Sequence, residues 1–224
     1  MPDQTPPTAA RGSYPKGVAR RQAILDQAIE VFASRGSDRT SLRAIAAEVG
    51  VTHAALKHYF GSLEELLVEV YREHERRGDT TRPTPDDATP IELLWQWTEK
   101  NRAVPGLVEL YTTLVATALE PGHEVAHDFA ATRFASSRAS LAERVRHNQA
   151  TGRLRADLDP DAVAALVIAA SDGLQTQALL DSDAPQVAAL LLLEELLAAP
   201  TPSSAGNRAR PTAGRSQLIR LALD

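Results

Sequence analysis

Residues 123–127 have the residue types and the spacing of a zinc site. They read His-Glu-Val-Ala-His, and on a helix this spacing lets two histidines one turn apart bind zinc while the glutamate acts as the general base of a hydrolase. Pro121 and Gly122 directly precede the motif, so it lies at a helix start, and the residues that follow, DFAATR, lack the third histidine of a metzincin site. Glu143 lies about 24 Å further along the same helix, too far to complete the site.

These features favour a different interpretation of the motif. Glu124 suits the first turn of a helix, where a carboxylate faces the positive end of the helix dipole, and His123 and His127 are then partly solvated. We expect no bound metal, no cofactor and no enzymatic activity. A zinc-dependent hydrolase remains the alternative function, and either histidine could still contact a small ligand at the rim of a pocket.

A second group of polar residues points outward from a very short helix. The segment 41–60, SLRAIAAEVGVTHAALKHYF, predicts two short helices that meet at Gly50, whose permissive backbone allows the steep turn of a helix-turn-helix. The apolar residues expected to hold this pair against the first helix are Ile45, Val51, Leu56 and Phe60. Packing alone does not explain why the outward residues are Thr52, His53, Ala54, Lys57 and His58.

Composition and charge restrict the class of protein. The chain has 224 residues, 43% of them apolar, a mean hydropathy of −0.23 and no cysteine, which excludes disulfides, thiolate nucleophiles and cysteine zinc sites. We see no secretory signal and no apolar run that would span a bilayer, so we expect a cytoplasmic protein without a membrane partner. Residues 1–60 carry eight basic and five acidic residues, net +3, and residues 61–224 carry sixteen and twenty-four, net −8. This asymmetry suggests a basic contact module on an acidic body, although chance is the alternative.

Apolar residues repeat at helical spacing through most of the chain, and no strand pattern competes, so the predicted fold class is all-α. The predicted helices span about 18–34, 41–50, 52–59, 62–78, 90–103, 105–119, 123–150, 160–181 and 185–199, and Ser62 and Glu65 form a capping box. Residues 1–15 and 200–224 are rich in proline and small residues, which predicts a disordered arm and a mostly disordered tail. A proline-rich break at 78–90 separates two helical regions.

The run from Arg20 to Tyr71, which contains ILDQAIEVFASRG and TSLRAIAAEVGVTHAALKHYFGSLEELL, resembles the TetR family of transcriptional regulators. The segments YTTLVATALEPGHEVAHDF and DPDAVAALVIAASDGLQTQALL are similar to the family's second domain. The resemblance implies a three-helix helix-turn-helix DNA-binding domain with a linking fourth helix at 16–78, and an antiparallel helical bundle for ligand binding and dimerisation at 79–199.

The function implied by the resemblance is that of a homodimeric, ligand-responsive regulator. It would act as a repressor that a small-molecule effector releases from a near-palindromic operator in double-stranded DNA, although activation remains open. A helical scaffold protein without DNA specificity is a further alternative.

The resemblance also implies which residues contact DNA. Thr52 would cap the recognition helix, which directs its first amides toward phosphate, while His53 would face base edges or remain a solvated surface histidine. The family's usual Leu-Tyr-Tyr-His-Phe is replaced by residues 56–60, so Lys57 stands where a phosphate-binding tyrosine is common, and Tyr59 is expected to be buried against the first or fourth helix. The expected contacts are Lys16, Arg20, Arg21, Thr40, Ser41, Arg43, Thr52, His53, Ala54, Ala55, Lys57, His58 and Tyr59.

Large and polar residues of the second domain are candidates for an effector pocket, with ordinary core packing as the alternative. They are Trp97, Tyr111, Phe129 and Phe134, with Thr112, Asp172 and Gln175 as polar groups. Trp95 and Trp97 are two residues apart and cannot share a helix face, so at most one of them is expected in the pocket. The helices at 160–181 and 185–199 have more apolar surface than one monomer needs, which predicts a two-fold dimer.

Overall fold

The computed structural model describes residues 14–35, 42–78, 85, 87–102, 104 and 106–200, and in these residues the predicted all-helical fold is confirmed. The described part of the chain forms nine helices and no strand. They are α1 (Tyr14–Arg35), α2 (Leu42–Val49), α3 (His53–Phe60), α4 (Leu63–Gly78), α5 (Pro90–Arg102), α6 (Leu107–Thr117), α7 (Glu124–Ala150), α8 (Pro160–Leu180) and α9 (Gln186–Leu197).

Most helix ends lie within two residues of their predicted positions, and α1 differs most. It begins at Tyr14, about four residues before the predicted start, and so includes the last two residues of the predicted arm. Pro15 allows this earlier start, because N–H groups in the first turn of a helix have no intrahelical acceptor and a proline there loses no hydrogen bond. The rest of the predicted arm, the predicted tail from residue 201, and most of the break at 78–90 lie outside the described residues.

The first four helices share one apolar core with α6 and α7. Ile24 and Leu25 of α1, Leu56 of α3 and Leu66 of α4 are all fully buried in it. The expected packing of Ile45, Val51, Leu56 and Phe60 onto this core is confirmed, with Val51 only partly buried. The same cluster continues without a break into α6 and α7 through the side chains of Tyr71, Leu110, Tyr111, Leu114 and Phe129. α4 is therefore packed on both sides.

A second apolar core joins α5, α7, α8 and α9. It includes Ile91, Leu141, Val167 and Leu190, all at most 2% exposed. The connection between α7 and α8 is only nine residues long, so the two long helices return past one another as an antiparallel pair. An isolated bridge between Leu154 and Ala198 ties this connection to the end of α9.

α8 contradicts the expectation that the chain has no apolar run long enough to span a bilayer. Its 21 residues, with a mean hydropathy of 1.4 over the most apolar stretch, are long and apolar enough by composition alone to cross a membrane. The apolar residues of α8 nevertheless face two ways: Val163 and Val167 are buried in the second core, whereas Leu166 and Leu180 are 52% and 85% exposed. The buried face and the polar residues of its C-terminal half mark α8 as a helix of a folded domain.

A polar cluster holds the start of α5 against α9. The hydroxyl of Thr89 donates to Glu194 at 3.0 Å, and the backbone N–H of Thr89 donates to the buried carboxylate of Glu92 at 2.8 Å. Arg153 donates to both oxygens of Glu92 at 3.2 Å. Burial, together with the nearby charge of Glu92, raises the pKa of Glu194 to about 7.

This pKa predicts how stability depends on pH. Between the unfolded pKa of 4.5 and the folded value of about 7, the folded state binds more protons, so the free energy of unfolding falls as pH rises through this window. Glu194→Gln removes the titration, and we expect it to raise the melting temperature above that of the wild type by a few degrees at about pH 8 and by much less at about pH 5.

Circular dichroism melts at both pH values measure this difference. Glu195→Gln removes the same charge from the exposed neighbouring residue and serves as the control. If Glu194→Gln raised the melting temperature by the same amount at both pH values, the prediction would be contradicted.

Candidate functional site

The start of α3 has the geometry that the sequence predicts. Thr52 has an extended backbone, and its hydroxyl accepts the backbone N–H of Ala55 at 3.1 Å, so Thr52 is the N-cap. Gly50 has a positive φ of 67°, and Val51 N–H closes the turn on Ala46 O at 2.9 Å. A bulkier residue would be strained at Gly50.

The side chains of α3 divide into two faces. Leu56 and Phe60 point into the core, while Thr52, His53, Ala54, Lys57 and His58 are exposed and Ala55 is half-buried. Tyr59 is half-buried against the first core, and its ring meets His58 edge-on at 5.5 Å between centroids. The exposed face is polar, carries a lysine and begins at a capped helix N-terminus, which together suit contact with a phosphate backbone.

The expected DNA contacts outside α3 and its N-cap lie on α1 or α2 or just before α2. Arg20 is exposed on α1. Arg21 is bound within the protein, since its guanidinium donates to Glu69 of α4 at 3.0 Å and lies 4.8 Å from the ring centroid of Phe60. It therefore joins α1 to α4 rather than projecting outward. The side chains of Lys16 and Arg43 lie outside what the structure describes, as do residues Thr40 and Ser41 altogether.

A cavity of about 590 Å³ lies between α4, α5, α6, α7 and α8. Six of the seven candidate pocket residues line it, namely Trp97, Tyr111, Phe129, Phe134, Asp172 and Gln175. Thr112 does not, because one step along the helix turns it about 100° from Tyr111. Trp95 is buried in the second core, so only Trp97 of the two tryptophans reaches the cavity, as their spacing predicts.

One wall of the cavity is a charged and aromatic cluster that the sequence did not reveal. The guanidinium of Arg133 pairs with Glu75 and lies 5.1 Å from the ring centroid of Tyr71 and 4.9 Å from that of Tyr111. The hydroxyl of Tyr111 donates to Asp172 at 3.0 Å. Burial raises the pKa of Asp172 above its ordinary value, while the hydrogen bond from Tyr111 and the charge of Arg133 oppose that rise.

The sequence pattern does not indicate this cluster, because neither Tyr71 nor Arg133 stands out from its neighbours. Tyr71 fits the apolar face of α4, and Arg133 resembles the solvated arginines around it. The only available signal is the spacing of Arg133, four residues after Phe129 and next to Phe134, which puts a cation among two candidate pocket aromatics.

A second polar group of lining residues, called here the His74 corner, consists of His74, Lys100 and Asn101. The Nε2 atom of His74 is buried and has no hydrogen-bond partner among the described residues. Burial lowers the pKa of His74, and the charge of Lys100 acts in the same direction, while a hydrogen bond with Asn101 opposes it. These surroundings favour the neutral imidazole.

The motif at 123–127 is the helix start that its context predicts. His123 precedes α7, and its Nδ1 lies 2.9 Å from Glu64 Oε2. The other oxygen of Glu64 accepts the backbone N–H of Ala126 at 2.6 Å. The hydrogen bond between His123 and Glu64 raises the pKa of His123. His127 is 67% exposed and lies beside Asp128. Neither histidine lines the cavity, and the described residues contain no cluster of three or more metal-binding side chains, so the hydrolase alternative has no support there.

The sequence of this chain is similar to those of bacterial transcriptional regulators. The family model described as bacterial regulatory proteins, tetR family, matches residues 24–70. A transcriptional repressor from Mycobacterium tuberculosis, Rv1474c, is 28% identical over 182 residues, which is 79% of this chain and 91% of the repressor. The regulator BetI of Rhizobium meliloti is 36% identical over 75 residues, and that match covers 33% of this chain and 37% of BetI. The chain therefore spans little more than a third of that relative.

Solved structures share the fold over about four fifths of this chain. A putative TetR-family regulator from Rhodococcus sp. superposes with a TM-score of 0.60 at 23% identity, covering 80% of this chain and 98% of the other. A TetR-family member from Streptomyces coelicolor is 28% identical with a TM-score of 0.55, covering 80% and 98%. A putative regulator from Saccharomonospora viridis, solved in complex with choline, has a TM-score of 0.60 at 23% identity, covering 80% and 95%.

The contact of Glu64 with the start of α7 predicts a pH-dependent effect on stability. Glu64→Ala removes the only side-chain acceptor described for this helix start, so we expect the free energy of unfolding to fall by about 1 kcal/mol, the size of a lost helix cap. Glu64→Gln can still accept the N–H of Ala126, but it has no charge to pair with protonated His123.

The sign of the pH effect follows from the raised pKa of His123. The ion pair contributes stability below the unfolded pKa of about 6.5, and this contribution is lost as pH rises through the raised folded value. Denaturant unfolding should therefore separate Glu64→Gln from the wild type more at about pH 5.5 than at about pH 9. A separation independent of pH would show that the ion pair is absent.

Proposed function

The chain belongs to the tetR family of bacterial regulatory proteins, and on that premise we propose that it is a DNA-binding transcriptional repressor that a small-molecule ligand releases from its operator. The observation that carries the proposal is the exposed polar face of α3, which begins at the Thr52 cap and contains Lys57 on a rigid helix-turn-helix. Such a face presents helix amides and a mobile cation to the DNA backbone.

The role of each residue follows from its position on this face. His53 and Ala54 lie in the first turn of α3, where recognition helices contact base edges in the major groove. Lys57, one turn further along the same face, is expected to bind phosphate, because the flexible side chain of a lysine acts as a point charge rather than a directional donor. Arg20, exposed on α1, extends the basic surface.

Two copies of the chain are needed to read a near-palindromic operator. The exposed leucines of the second domain support a two-fold interface of α8 and α9: Leu166, Leu179, Leu180, Leu192 and Leu196. A soluble monomer rarely exposes so many large apolar side chains in one region. A dimer through these helices would present two α3 helices to major grooves about 34–36 Å apart, or a multiple of that distance.

α4 supports the coupling between ligand and DNA. Tyr71, His74 and Glu75 of α4 line the cavity, while Glu69 and Glu73 of the same helix accept hydrogen bonds from Arg21 and Gln22 of α1 at 3.0 Å. A ligand that moves α4 would therefore move the DNA-binding helices and change the spacing between the two α3 helices, which couples the two sites. The choline complex of the Saccharomonospora regulator supports a small-molecule effector for this chain. The protein would act by binding DNA and ligand rather than by catalysis. Its location would be the cytoplasm, which contains the bacterial DNA.

Specific operator binding is the first test of this function. We expect purified protein to shift DNA from the region upstream of its own gene at nanomolar dimer and physiological salt, while scrambled DNA of the same length is not shifted. Absence of a specific shift at micromolar dimer would overturn the proposed function and favour a helical scaffold.

In the same assay, Lys57→Ala should weaken binding to all sequences and lower the slope of log K against log salt by about one per subunit, whereas His53→Ala should change base preference.

Arg138→Ala is the control for Lys57→Ala, because it removes an exposed cation of α7 and should leave the salt slope unchanged. An unchanged slope for Lys57→Ala would remove Lys57 from the interface. Unchanged base preference for His53→Ala would leave His53 a solvated surface residue.

The dimer is tested separately. Paired substitutions Leu192→Glu and Leu196→Glu place two charges on the exposed face of α9, and we expect the mass in solution to fall from twice 24.1 kDa to 24.1 kDa, as measured by light scattering. Leu119→Glu is the matched control, because Leu119 is 85% exposed but lies between α6 and α7. Dissociation by the control alone, or by neither variant, would contradict an α8–α9 interface.

A further inference from the structure

The cavity's unfilled hydrogen-bonding groups point to the chemistry of its ligand. We propose that the ligand is an apolar organic acid, whose carboxylate binds at the corner formed by His74, Lys100 and Asn101. This inference deepens the proposed function, because it names the class of effector for the same cavity.

The carboxylates of the cavity wall already have partners. Glu75 accepts from Arg133, and Asp172 accepts from the hydroxyl of Tyr111. These are the two carboxylates that line the cavity in the described part of the chain. A cationic ligand would have to displace one of these internal contacts before it gained an ion pair, so the wall does not favour a cation.

The aromatic rings of the wall also face cations of the protein itself. The guanidinium of Arg133 lies within 5.1 Å of the ring centroids of both Tyr71 and Tyr111, and that of Arg72 lies 5.7 Å from the ring centroid of Phe129. These rings could have attracted a quaternary ammonium group. Because they already interact with guanidinium groups, a second cation would meet repulsion there.

The cations that line the cavity outnumber its two carboxylates, and one of these cations has no counter-ion in the part of the chain that the structure describes. Arg72, Arg76 and Arg133 pair with Glu69, Glu73 and Glu75 respectively. Lys100, which also lines the cavity, forms no ion pair with the described residues. A carboxylate is the complement that this corner lacks.

His74 adds an independent sign that a ligand belongs at this corner. Its Nε2 atom is buried without a hydrogen-bond partner among the described residues, and a buried polar atom left in that state costs about 1–3 kcal/mol. A ligand oxygen within reach would accept the N–H of the imidazole as well as a hydrogen bond from Lys100. Since His74 is on α4 and Lys100 is on α5, the bound carboxylate would join these two helices.

The rest of the cavity suits an apolar body. Leu94, Trp97, Phe134 and Ile168 contribute to its walls, and a volume of about 590 Å³ is ordinary for a site that encloses a small organic molecule. The apolar walls exclude a small inorganic anion as the natural occupant, because it would leave most of the volume unfilled.

Three probes with similar apolar bodies test the proposal. Phenylbutyrate, phenylbutanol and phenylbutyl-trimethylammonium carry an anionic, a neutral and a cationic head group on similar phenylalkyl bodies, and their affinities are measured by calorimetry on the full chain. We expect the carboxylate to bind at least about ten-fold more tightly than either of the others, the value of a hydrogen bond to a charged group. Equal or tighter binding of the alcohol or the ammonium, or no binding of any probe at millimolar concentration, would overturn the proposal.

Variants locate the carboxylate. Lys100→Met keeps the length of the side chain without its charge and should remove the preference for the carboxylate while the affinity for phenylbutanol is retained. Arg138→Gln, which removes an exposed α7 cation outside the cavity lining, should leave all three affinities unchanged. An unaltered carboxylate preference in Lys100→Met would overturn this placement. Operator binding is scored without any ligand, so failure of the gel shift with intact carboxylate binding would overturn the repressor function alone.

Discussion

The burial of α4 on two sides is the constraint on which the rest of the structure depends. Leu66 and Val70 are 0% and 2% exposed in the core shared with α1 and α3, and Tyr71 of the same helix stacks on Tyr111 of α6 at 5.3 Å between ring centroids. Because protein interiors are close-packed, α4 cannot shift against one domain without moving the other. The helix-turn-helix and the cavity therefore share one packed element, α4.

Polar contacts along α4 set its position relative to its neighbours. Near its start, Glu64 holds the beginning of α7, and further along, Glu69 and Glu73 bind side chains of α1 while Glu75 pairs with Arg133. Several of these ion pairs are half-exposed, and such pairs contribute little free energy. Their importance is geometric, since each fixes the direction of a helix that apolar packing already brings close. The proposed ligand would contact the same helix, because Tyr71, His74 and Glu75 of α4 line the cavity.

The motif at 123–127 shows why a short pattern needs its surroundings. Its histidines have metal-binding spacing in sequence, but the helix begins after His123, so the two rings do not stand on consecutive turns of a formed helix. The carboxylate beside His123 comes from Glu64, 59 positions earlier in the chain. Glu64 accepts a backbone N–H and raises the pKa of the histidine, which is a structural role. The sequence context of Pro121 and Gly122 was enough to predict the helix start, but not its partner.

The sequence alone determined the features that depend on near neighbours in the chain: the helical period, the turn at Gly50, the cap at Thr52 and the division of α3 into a buried and an exposed face. Interactions between residues three or four positions apart decide these, so local pattern is sufficient. Six of the seven candidate pocket residues that it suggested line the cavity. Only the tertiary structure brought together Glu75 with Arg133, 58 positions apart, and Tyr111 with Asp172, 61 positions apart. Helix packing decides such pairs, and no spacing along a helix encodes which distant charge will meet which.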